Sequence, residues 1–512
     1  MKNRVLLCVL AVVMLFCFMG CSRPQEPEAT PAVTATPDPR SFVGQTFVSG
    51  DWEYTVREDL SAMLVKYVGA KPFKAFPEEL DSRTVTGIGP DTFTKSNGMS
   101  TVSIPDCITY IPVNPFNNHF YKLRTILVSP GHPTLAVLDG VLFDKVEKRL
   151  ICYPHLPETT YRVPEGILSI GDWAFRYNNS LTQIHLPDSV VSIGEEAFRK
   201  CSKLTSFSIP GSVQHIGRAA FAECRKLTRL KLPDGFTEVP DEIVSWCHDL
   251  RSFDIPASVV RIGKEAFSNC ESLKSIKLPD GLTGIGEKAF YYCSGLRDIR
   301  LPETLQEIGN GAFSGCKSLS TVVFPPSVRV IGDEAFSRCD GMTEITVPDT
   351  VQTLGEAVFA GCGGLTRITL PSHLTRLNAR LLSSCTSLPA VTIPAGVTVI
   401  EEKALASCWA MTAIDLPEGL TVIGNEAFFQ GVFRTIHIPS TVTTIGDKAF
   451  IYCNKLEEIT IPESVTSMGK LVFLGCDSLK AVTVTPGSYG EQYCKDNQLP
   501  YQYADSADWL GK

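Results

Sequence analysis

Apolar side chains recur in one fixed order along most of the chain, with a period of 23 residues. Prolines mark the start of each copy in unbroken steps of 23 from Pro164 to Pro417, and then at Pro439 and Pro462. Self-similarity at a fixed period of this length is typical of a solenoid. The copy that begins at Pro187 places its apolar residues at Val190, Ile193, Ala197, Phe198, Cys201, Leu204, Phe207 and Ile209.

Each copy predicts one short strand followed by turns. The segment from Leu204 to Ile209 alternates apolar and polar residues, which is the period of a β-strand. The following proline ends the strand because it has no N–H to give to a central ladder. The Ile193-Gly194 step predicts a turn in which glycine relaxes the backbone limits, and the next Glu-Glu-Ala-Phe predicts a short helical or 3-10 turn with its phenylalanine inward. One copy cannot bury enough apolar surface to fold alone, so the coils must stack.

The repeated pattern Ile-Pro-x-x-Val-x-x-Ile-Gly-x-x-Ala-Phe-x-x-Cys-x-x-Leu-x-x-Ile-x-Ile resembles the BspA-like, or treponemal-type, class of leucine-rich repeat proteins. The resemblance covers most of the residues from about 85 to 500. It implies a curved leucine-rich solenoid of the α/β horseshoe class, dominated by β structure. It also implies a place on a bacterial or protozoan cell surface and roles in binding and adhesion. It implies no catalytic residues and no cofactor.

The first residues predict export and a lipid anchor. Lys2 and Arg4 precede an apolar run from Val5 to Met19, which is short for a membrane span and fits a cleaved signal. The following Gly20-Cys21 looks like the end of a lipobox, in which the cysteine receives a diacylglyceryl group. We expect Cys21 to be lipidated; the alternative is a plain signal peptide with a coincidental cysteine.

Composition and periodicity divide the chain into six segments. A β-hairpin is expected at Asp139–Asp144 and Arg149–Tyr153, as an insertion between coils, and a functional loop is the alternative. Three copies, and the 22-residue step from Pro417, depart from the pattern, and we expect local changes in curvature there. The expected segments are a signal peptide (1–20), a proline-rich tether (21–40), a β-rich N-terminal cap with a degenerate first repeat (41–104), an irregular repeat with the hairpin (105–163), about fourteen 23-residue repeats (164–484), and a helical C-terminal cap with a tail (485–512).

Charge and cysteine usage limit the choice of partners and of cross-links. The net charge is −8, which argues against a broad nucleic-acid or anionic-membrane surface. Twelve of the eighteen cysteines share one repeat position, from Cys201 every 23 residues to Cys408 and then at Cys453 and Cys476. Side chains that point in parallel from stacked coils fit disulfide geometry badly. The ladder therefore predicts buried free thiols that act as small hydrophobes.

No arrangement of residues predicts catalysis. The eight histidines are scattered over different coil positions, and the sequence has no His-Glu-x-x-His, Cys-x-x-Cys, phosphate loop or Gly-x-Ser-x-Gly. The adjacent Cys247 and His248 are a weak metal signal, and the cysteine is better explained as part of the core ladder. We expect no enzyme, no cofactor and no metal site. A hydrolase with a site split between coils would need clustered carboxylates, or a nucleophile with its base, in one pocket.

Two surfaces are candidates for binding a partner. The charged middle of the strand face carries Arg229, Lys231, Lys277 and Arg300. Aromatic residues also line a ridge at or near the position before the ladder cysteine; the alternative explanation is packing between coils. The ridge residues are Tyr177, Trp246, Tyr291, Tyr292, Trp409, Phe429 and Tyr452.

These patterns predict a non-catalytic bacterial surface lipoprotein that mediates protein–protein or cell and host adhesion. Its partner would be an extracellular protein or glycan. The N-terminal lipid would anchor the protein to the membrane, and we expect no nucleic-acid partner. The alternative function is that of a structural envelope or surface protein with no high-affinity ligand.

Overall fold

The computed structural model describes residues 38–504 apart from residues 72, 94–97, 117–119 and 121. The predicted signal peptide, the lipidation of Cys21 and nearly all of the tether fall outside the described residues. The described part begins with a 3-10 helix at Pro39–Phe42.

The N-terminal region forms a five-stranded sheet that confirms the predicted β-rich cap. Strands β1, β2 and β3 are antiparallel neighbours, and β5 pairs in parallel with β3. Trp52 lies among buried phenylalanines, 5.6 Å from the ring of Phe73 and 6.2 Å from that of Phe93. The strands are β1 Thr46–Ser49, β2 Trp52–Val56, β3 Ala62–Tyr67, β4 Glu79–Leu80 and β5 Arg83–Ile88.

An antiparallel hairpin joins this cap to the repeats. Strand β9 pairs with β10 in the stretch where the sequence predicts a hairpin, and β8 pairs with the other edge of β9. Strand β10 also pairs in parallel with the first short strand of the repeats, so the hairpin begins their sheet. The strands of this region are β6 Thr101–Ser103, β7 Thr125–Leu127, β8 Leu135–Leu138, β9 Val141–Asp144 and β10 Arg149–Cys152.

Most of the repeating coils contribute two short parallel strands rather than the single predicted one. The first strand series lies just before the proline of each copy, and neighbours pair 23 residues apart, as in Gln183 with Ser206. It comprises β11 Thr160–Arg162, β13 Gln183–His185, β15 Ser206–Phe207, β17 Arg229–Lys231, β19 Ser252–Asp254, β24 Glu344–Thr346, β26 Arg367–Thr369, β30 Thr435–Ile436, β32 Glu458–Thr460 and β34 Ala481–Val484.

The second strand series lies at the Ile-Gly step, where the sequence pattern predicts a turn. Here too the register is one coil, as in Ser192 with His215. The series comprises β12 Ser169–Ile170, β14 Ser192–Ile193, β16 His215–Ile216, β18 Glu238–Val239, β20 Arg261–Ile262, β21 Gly284–Ile285, β22 Glu307–Ile308, β23 Val330–Ile331, β25 Thr353–Leu354, β27 Arg376–Leu377, β28 Val399–Ile400, β29 Val422–Ile423, β31 Thr444–Ile445 and β33 Ser467–Met468.

Glycine follows these strands because the coils approach closely, and not because the backbone needs a special conformation. A Cβ on Gly263 would lie 2.6 Å from the carbonyl oxygen of Val239, and one on Gly286 would lie 2.8 Å from that of Ile262. Neither glycine has a positive φ. The reason given for these glycines in the sequence analysis is therefore wrong: the side chain is excluded by the preceding coil.

The Glu-Glu-Ala-Phe segments form runs of hydrogen-bonded turns where the sequence predicts short helical or 3-10 turns. Residues 195–200 are all in turns, and no helix occurs between residues 164 and 484 in the part of the chain that the structure describes. Glu196 and Lys200 have φ angles of 49° and 61°, which turns the chain without a helix. Phe198 is fully buried, as predicted.

The core is a column of stacked rings beside a column of thiols. The rings of Phe267, Phe290 and Phe313 lie 5.1 Å apart in nearly parallel planes. Each ladder thiol donates to a carbonyl oxygen of the preceding coil, as Cys293 does to Phe267 over 3.0 Å. All fifteen cysteines in the described residues are free, and the twelve of the ladder are buried, which confirms the predicted unpaired thiols.

A helix closes the array, as predicted. Helix α1 spans Tyr489–Asp496, and the Ser488 hydroxyl caps it by accepting from the backbone N–H of Glu491. Strand β35, Tyr501–Tyr503, then pairs in parallel with β34. Tyr493 and Cys494 of the helix pack into the repeat core. The fold is therefore a solenoid with a β-rich cap at one end and a helical cap at the other.

Candidate binding surfaces

The ridge position before the ladder cysteine is held in the left-handed conformation. The φ angles of Tyr177, Trp246, Tyr292 and Tyr452 lie between 54° and 64°. The backbone N–H at this position donates to the next coil, as Trp246 does to Ser268 over 2.7 Å. The backbone of each coil therefore fixes the ridge position, and the ridge side chains lie along one edge of the solenoid, at the turns.

Three ridge tyrosines pack against neighbouring coils. The ring of Tyr292 covers Gly315, where a Cβ would lie 3.0 Å from it, and its hydroxyl accepts from Arg338 over 2.9 Å. The ring of Tyr452 covers Gly475 in the same way. Lys200 lies 4.7 Å from the ring of Tyr177. These contacts match the explanation of packing between coils.

The other ridge residues do not form one continuous cluster. Tyr291 contacts Tyr292 with ring centroids 4.5 Å apart, and Phe429 contacts Tyr452 at 6.0 Å. Trp246 and Trp409 are 46% and 56% exposed, but they belong to coils seven repeats apart. The ridge thus offers two isolated exposed tryptophans and two small aromatic pairs.

The strand face presents the four predicted cations to solvent. Arg229 and Lys231 flank the buried Leu230 on β17, and Lys277 and Arg300 are exposed two and three coils further on. Arg229 forms an ion pair of 2.6 Å with Asp254. Within the described residues, the other three cations have no ion pair within 4.0 Å.

Three further exposed cations, each directly before an outward strand position, were not predicted from the sequence. Arg251, Lys274 and Arg297 occupy one repeat position in three successive coils, and all are exposed. Their 23-residue spacing could have indicated that they form a row. Strict alternation along the strand, however, predicts an inward side chain at this position. We define the basic patch as Arg251, Lys274, Lys277, Arg297 and Arg300.

The repeats match a known family over most of the chain. The BspA type Leucine rich repeat region is found in six copies, over residues 78–135, 152–271, 237–363, 330–456 and 377–491. The chain belongs to this family. A search of curated proteins returned no match.

Several solved structures of leucine-rich repeat proteins are similar to this chain. A leucine-rich repeat protein from Bacteroides ovatus is 24% identical, covers 90% of this chain and all of its own, and has a TM-score of 0.55, which supports the fold. One from Eubacterium ventriosum is 25% identical over 50% of this chain and 66% of its own, with a TM-score of 0.44. A leucine rich cell surface protein from Faecalibacterium prausnitzii is 22% identical over 91% of this chain and all of its own, with a TM-score of 0.39.

A shallow groove borders the basic patch of this BspA-type solenoid. Its volume is about 420 Å³, and its charged lining residues are Lys277, Asp280, Arg300 and Glu303. The carboxylates belong to the turns that follow the prolines, so they lie at the edge of the strand face. The groove therefore has cations on its strand side and anions on its turn side.

The weak metal signal at Cys247 and His248 does not form a site. The Cys247 thiol is buried and donates to the carbonyl of Phe221 over 3.2 Å, whereas His248 is partly exposed beside Glu271. Burial raises the pKa of the Cys247 thiol, which disfavours the thiolate that a metal needs. In the described part of the chain, no three His, Cys, Asp or Glu side chains are grouped to hold a metal ion. None of the described helices has the length and hydropathy of a membrane span.

Proposed function

We propose that the chain is a lipid-anchored bacterial surface protein whose repeats bind an extracellular protein or glycan, in protein–protein or cell and host adhesion. The apolar run before Cys21 supports export and anchoring. Membership of the BspA-type family supports a binding role, since leucine-rich repeat folds are typically non-catalytic.

The free cations of the strand face carry this proposal. Lys231, Lys277 and Arg300 are exposed on successive parts of one surface and have no ion pair within the described residues. Among the described residues, their side chains form no hydrogen bond or ion pair with the core or with the coil turns. Exposed polar groups without an internal partner are available to a ligand.

A structural role is the second candidate, and the threonines of the same surface favour it. The hydroxyl of Thr205 donates to the carbonyl oxygen of Thr182 over 3.3 Å, and that of Thr228 donates to Thr205 over 3.2 Å. These side chains serve the stacking of the coils. A protein with only this use of its surface would have no high-affinity ligand.

Capture from extracellular matrix or neighbouring cells separates the two candidates. The soluble fragment 41–512 is expected to retain a partner reproducibly. Replacing the exposed Trp246 by serine tests the ridge, and Tyr503→Ser, at a similarly exposed tyrosine on the C-terminal cap, is the matched control. Failure to capture any partner from matrix or cells would favour the structural role.

The anchor has its own test. Intact mass of the protein from the membrane fraction is expected to show an N-terminal cysteine that carries two or three acyl chains, because stable anchoring needs more than one chain. The Cys21→Ser variant should lose this mass and leave the membrane fraction. An unmodified Cys21 in the mature protein would contradict the lipid anchor.

A further inference from the structure

The basic patch brings like charges together. Arg251, Lys274 and Arg297 stand at the same position in three successive coils, and the N–H of Arg297 donates to the carbonyl of Lys274 over 3.0 Å. Parallel neighbours lie about 4.8 Å apart. Like charges that face each other at this spacing destabilise a sheet. In the described residues none of the three forms an ion pair that would offset this repulsion.

The same position near the C-terminal end of the array shows how the fold neutralises such a row. There Arg434, Glu457 and Lys480 alternate in sign, and Glu457 pairs with Arg434 at 2.9 Å and with Lys480 at 3.0 Å. The two rows are geometrically equivalent, so the scaffold permits compensation at this position. The uncompensated row indicates that the counter-charge of the basic patch comes from outside the chain.

The surroundings of the patch leave it positive. Asp254 is taken by Arg229, and Asp298 is the one carboxylate on the strand face without an ion pair in the described residues of these three coils. Asp280 and Glu303 lie across the edge groove. The exposed Glu271 lies in the turn before Lys274 and, among the described residues, pairs only with His248. On the strand face itself, five cations thus face solvent beside one free carboxylate, in a protein whose net charge is −8.

The chemistry of the patch favours a flexible polyanion over a folded protein. The remaining outward residues here are small and polar, Ser252 and Ser275, with no aromatic or large apolar side chain. Protein interfaces use aromatic and apolar anchors at their centres. Arginine forms bidentate charge-assisted hydrogen bonds with planar or tetrahedral oxyanions. A chain that carries such groups at short intervals can contact several coils at once.

We propose that the basic patch binds a sulfated polysaccharide that runs along the solenoid axis across the coils of Arg251, Lys274 and Arg297. This names the ligand class for the proposed extracellular binding function and rests on that function. The row at Lys277 and Arg300, three residues further along the strands, makes a second line of contacts to the same chain.

Heparin binding to the full-length protein tests this inference. The probe is a heparin oligosaccharide, and affinity is measured over a series of NaCl concentrations. The double variant Lys274→Gln with Arg297→Gln is expected to weaken binding by about tenfold or more, since a lost hydrogen bond to a charged group has that effect. Added salt should weaken wild-type binding by screening.

The matched control changes cations at the equivalent position, in Arg434→Gln with Lys480→Gln, and should alter the affinity by less than about twofold. Equal loss in both double variants would overturn the proposal, as would tight binding of polyglutamate or duplex DNA through the same residues. Because the patch variant relieves repulsion, its melting temperature should not fall, which separates loss of binding from loss of folding.

The outcome is distinguishable from failure of the proposed function. If the protein captures a matrix or cell partner but does not bind heparin, the inference about the ligand fails and the binding function stands. If no partner is captured in any form, the binding function itself fails.

Discussion

Each ladder thiol is both a space-filling group and a hydrogen-bond donor. Cys293 and Cys362 donate to carbonyl oxygens of the preceding coils over 3.0 and 3.1 Å. Burial raises the pKa of each of these thiols to about 12. The thiol must stay protonated because the core gives a thiolate neither water nor a counter-ion.

The raised thiol pKa predicts a loss of stability in alkali. In the unfolded chain a thiol ionises near pH ~8.5, so its contribution is complete below that pH and declines as pH rises toward about 12. Each thiol steepens the decline by about 1.4 kcal/mol per pH unit. The double variant Cys293→Ala with Cys362→Ala should therefore show a shallower decline by about 3 kcal/mol per pH unit in denaturant unfolding between about pH 9 and 10.5. An unchanged slope would contradict buried neutral thiols.

A buried carboxylate ties three coils together at the N-terminal end of the array. Glu196 is 5% exposed and pairs with Arg176 at 2.8 Å and with Arg199 at 2.7 Å. Arg199 continues to Glu223 at 2.9 Å. Removing one member leaves the partner charges in a poorly solvated turn.

The Glu196→Gln variant should lose about 3 kcal/mol of unfolding free energy, because Arg176 loses the carboxylate of its ion pair and Arg199 is left with Glu223 alone. Denaturant unfolding at neutral pH measures it. Glu344→Gln is the control, since its ion pair with Arg367 is exposed and screened, and no change beyond experimental error is expected. Similar losses in both variants would show that burial is not what makes Glu196 important.

Prediction at the residue scale succeeded where a side chain faces the core and was incomplete at the surface. The apolar positions and the cysteine ladder follow directly from the period. The exposure of three cations was not predicted: Arg251, Lys274 and Arg297. Each lies directly before the first outward residue of a strand, where the alternation of inward and outward side chains has not begun. The chain is leaving a turn there, so Arg251 is exposed although the next residue also faces outward.

Among the elements, the second strand series was the least predictable. Its strands are only two residues long, so they show no alternation, and their glycine suggested a turn. Their pairing depends on the backbone N–H of that glycine, as when Gly355 donates to Ile331 over 2.8 Å. The series is interrupted between β16 and β18 and between β25 and β27, where Pro240 and Asn378 replace glycine.

At each interruption, a carbonyl oxygen of the preceding coil loses its backbone N–H donor, and the two interruptions differ in what replaces that donor. Pro240 has no N–H, so Ile216 loses the donor that its equivalents have, and an open groove of about 690 Å³ lies at this interruption. At the other interruption the side-chain amide of Asn378 donates to the carbonyl of Leu354. An asparagine side chain thus takes the place of the missing backbone bond.

Because the side-chain amide of Asn378 makes this bond, alanine and glycine at position 378 should differ in their effect on the unfolding free energy. Asn378→Ala should lose about 1–3 kcal/mol, because the carbonyl of Leu354 loses the side-chain amide that donates to it. Asn378→Gly should lose much less, since its backbone N–H can reach that carbonyl as in the regular coils. Unfolding free energies measure both, and equal losses would contradict this account of the glycine positions.

At the scale of the whole molecule, the repeat period predicted the solenoid, and the caps depended on local patterns. The described residues form two apolar clusters, one spanning Trp52 to Cys152 and one spanning Val141 to Cys494, which meet at the hairpin of β9 and β10. Each coil lengthens the long cluster by one layer, so additional coils increase the solvent-facing surface but not the thickness of the core. That geometry leaves the strand face of every coil open to solvent.

We propose that an extracellular polyanion occupies the basic patch on this open face. Lysine acylation of the full-length protein, with and without heparin, can show which residues the polyanion covers. Heparin is expected to protect Lys274 and Lys277, while the exposed Lys455 and Lys470, far along the array, keep their reactivity. Equal protection of all four lysines, or protection that spares Lys274 and Lys277, would contradict the account.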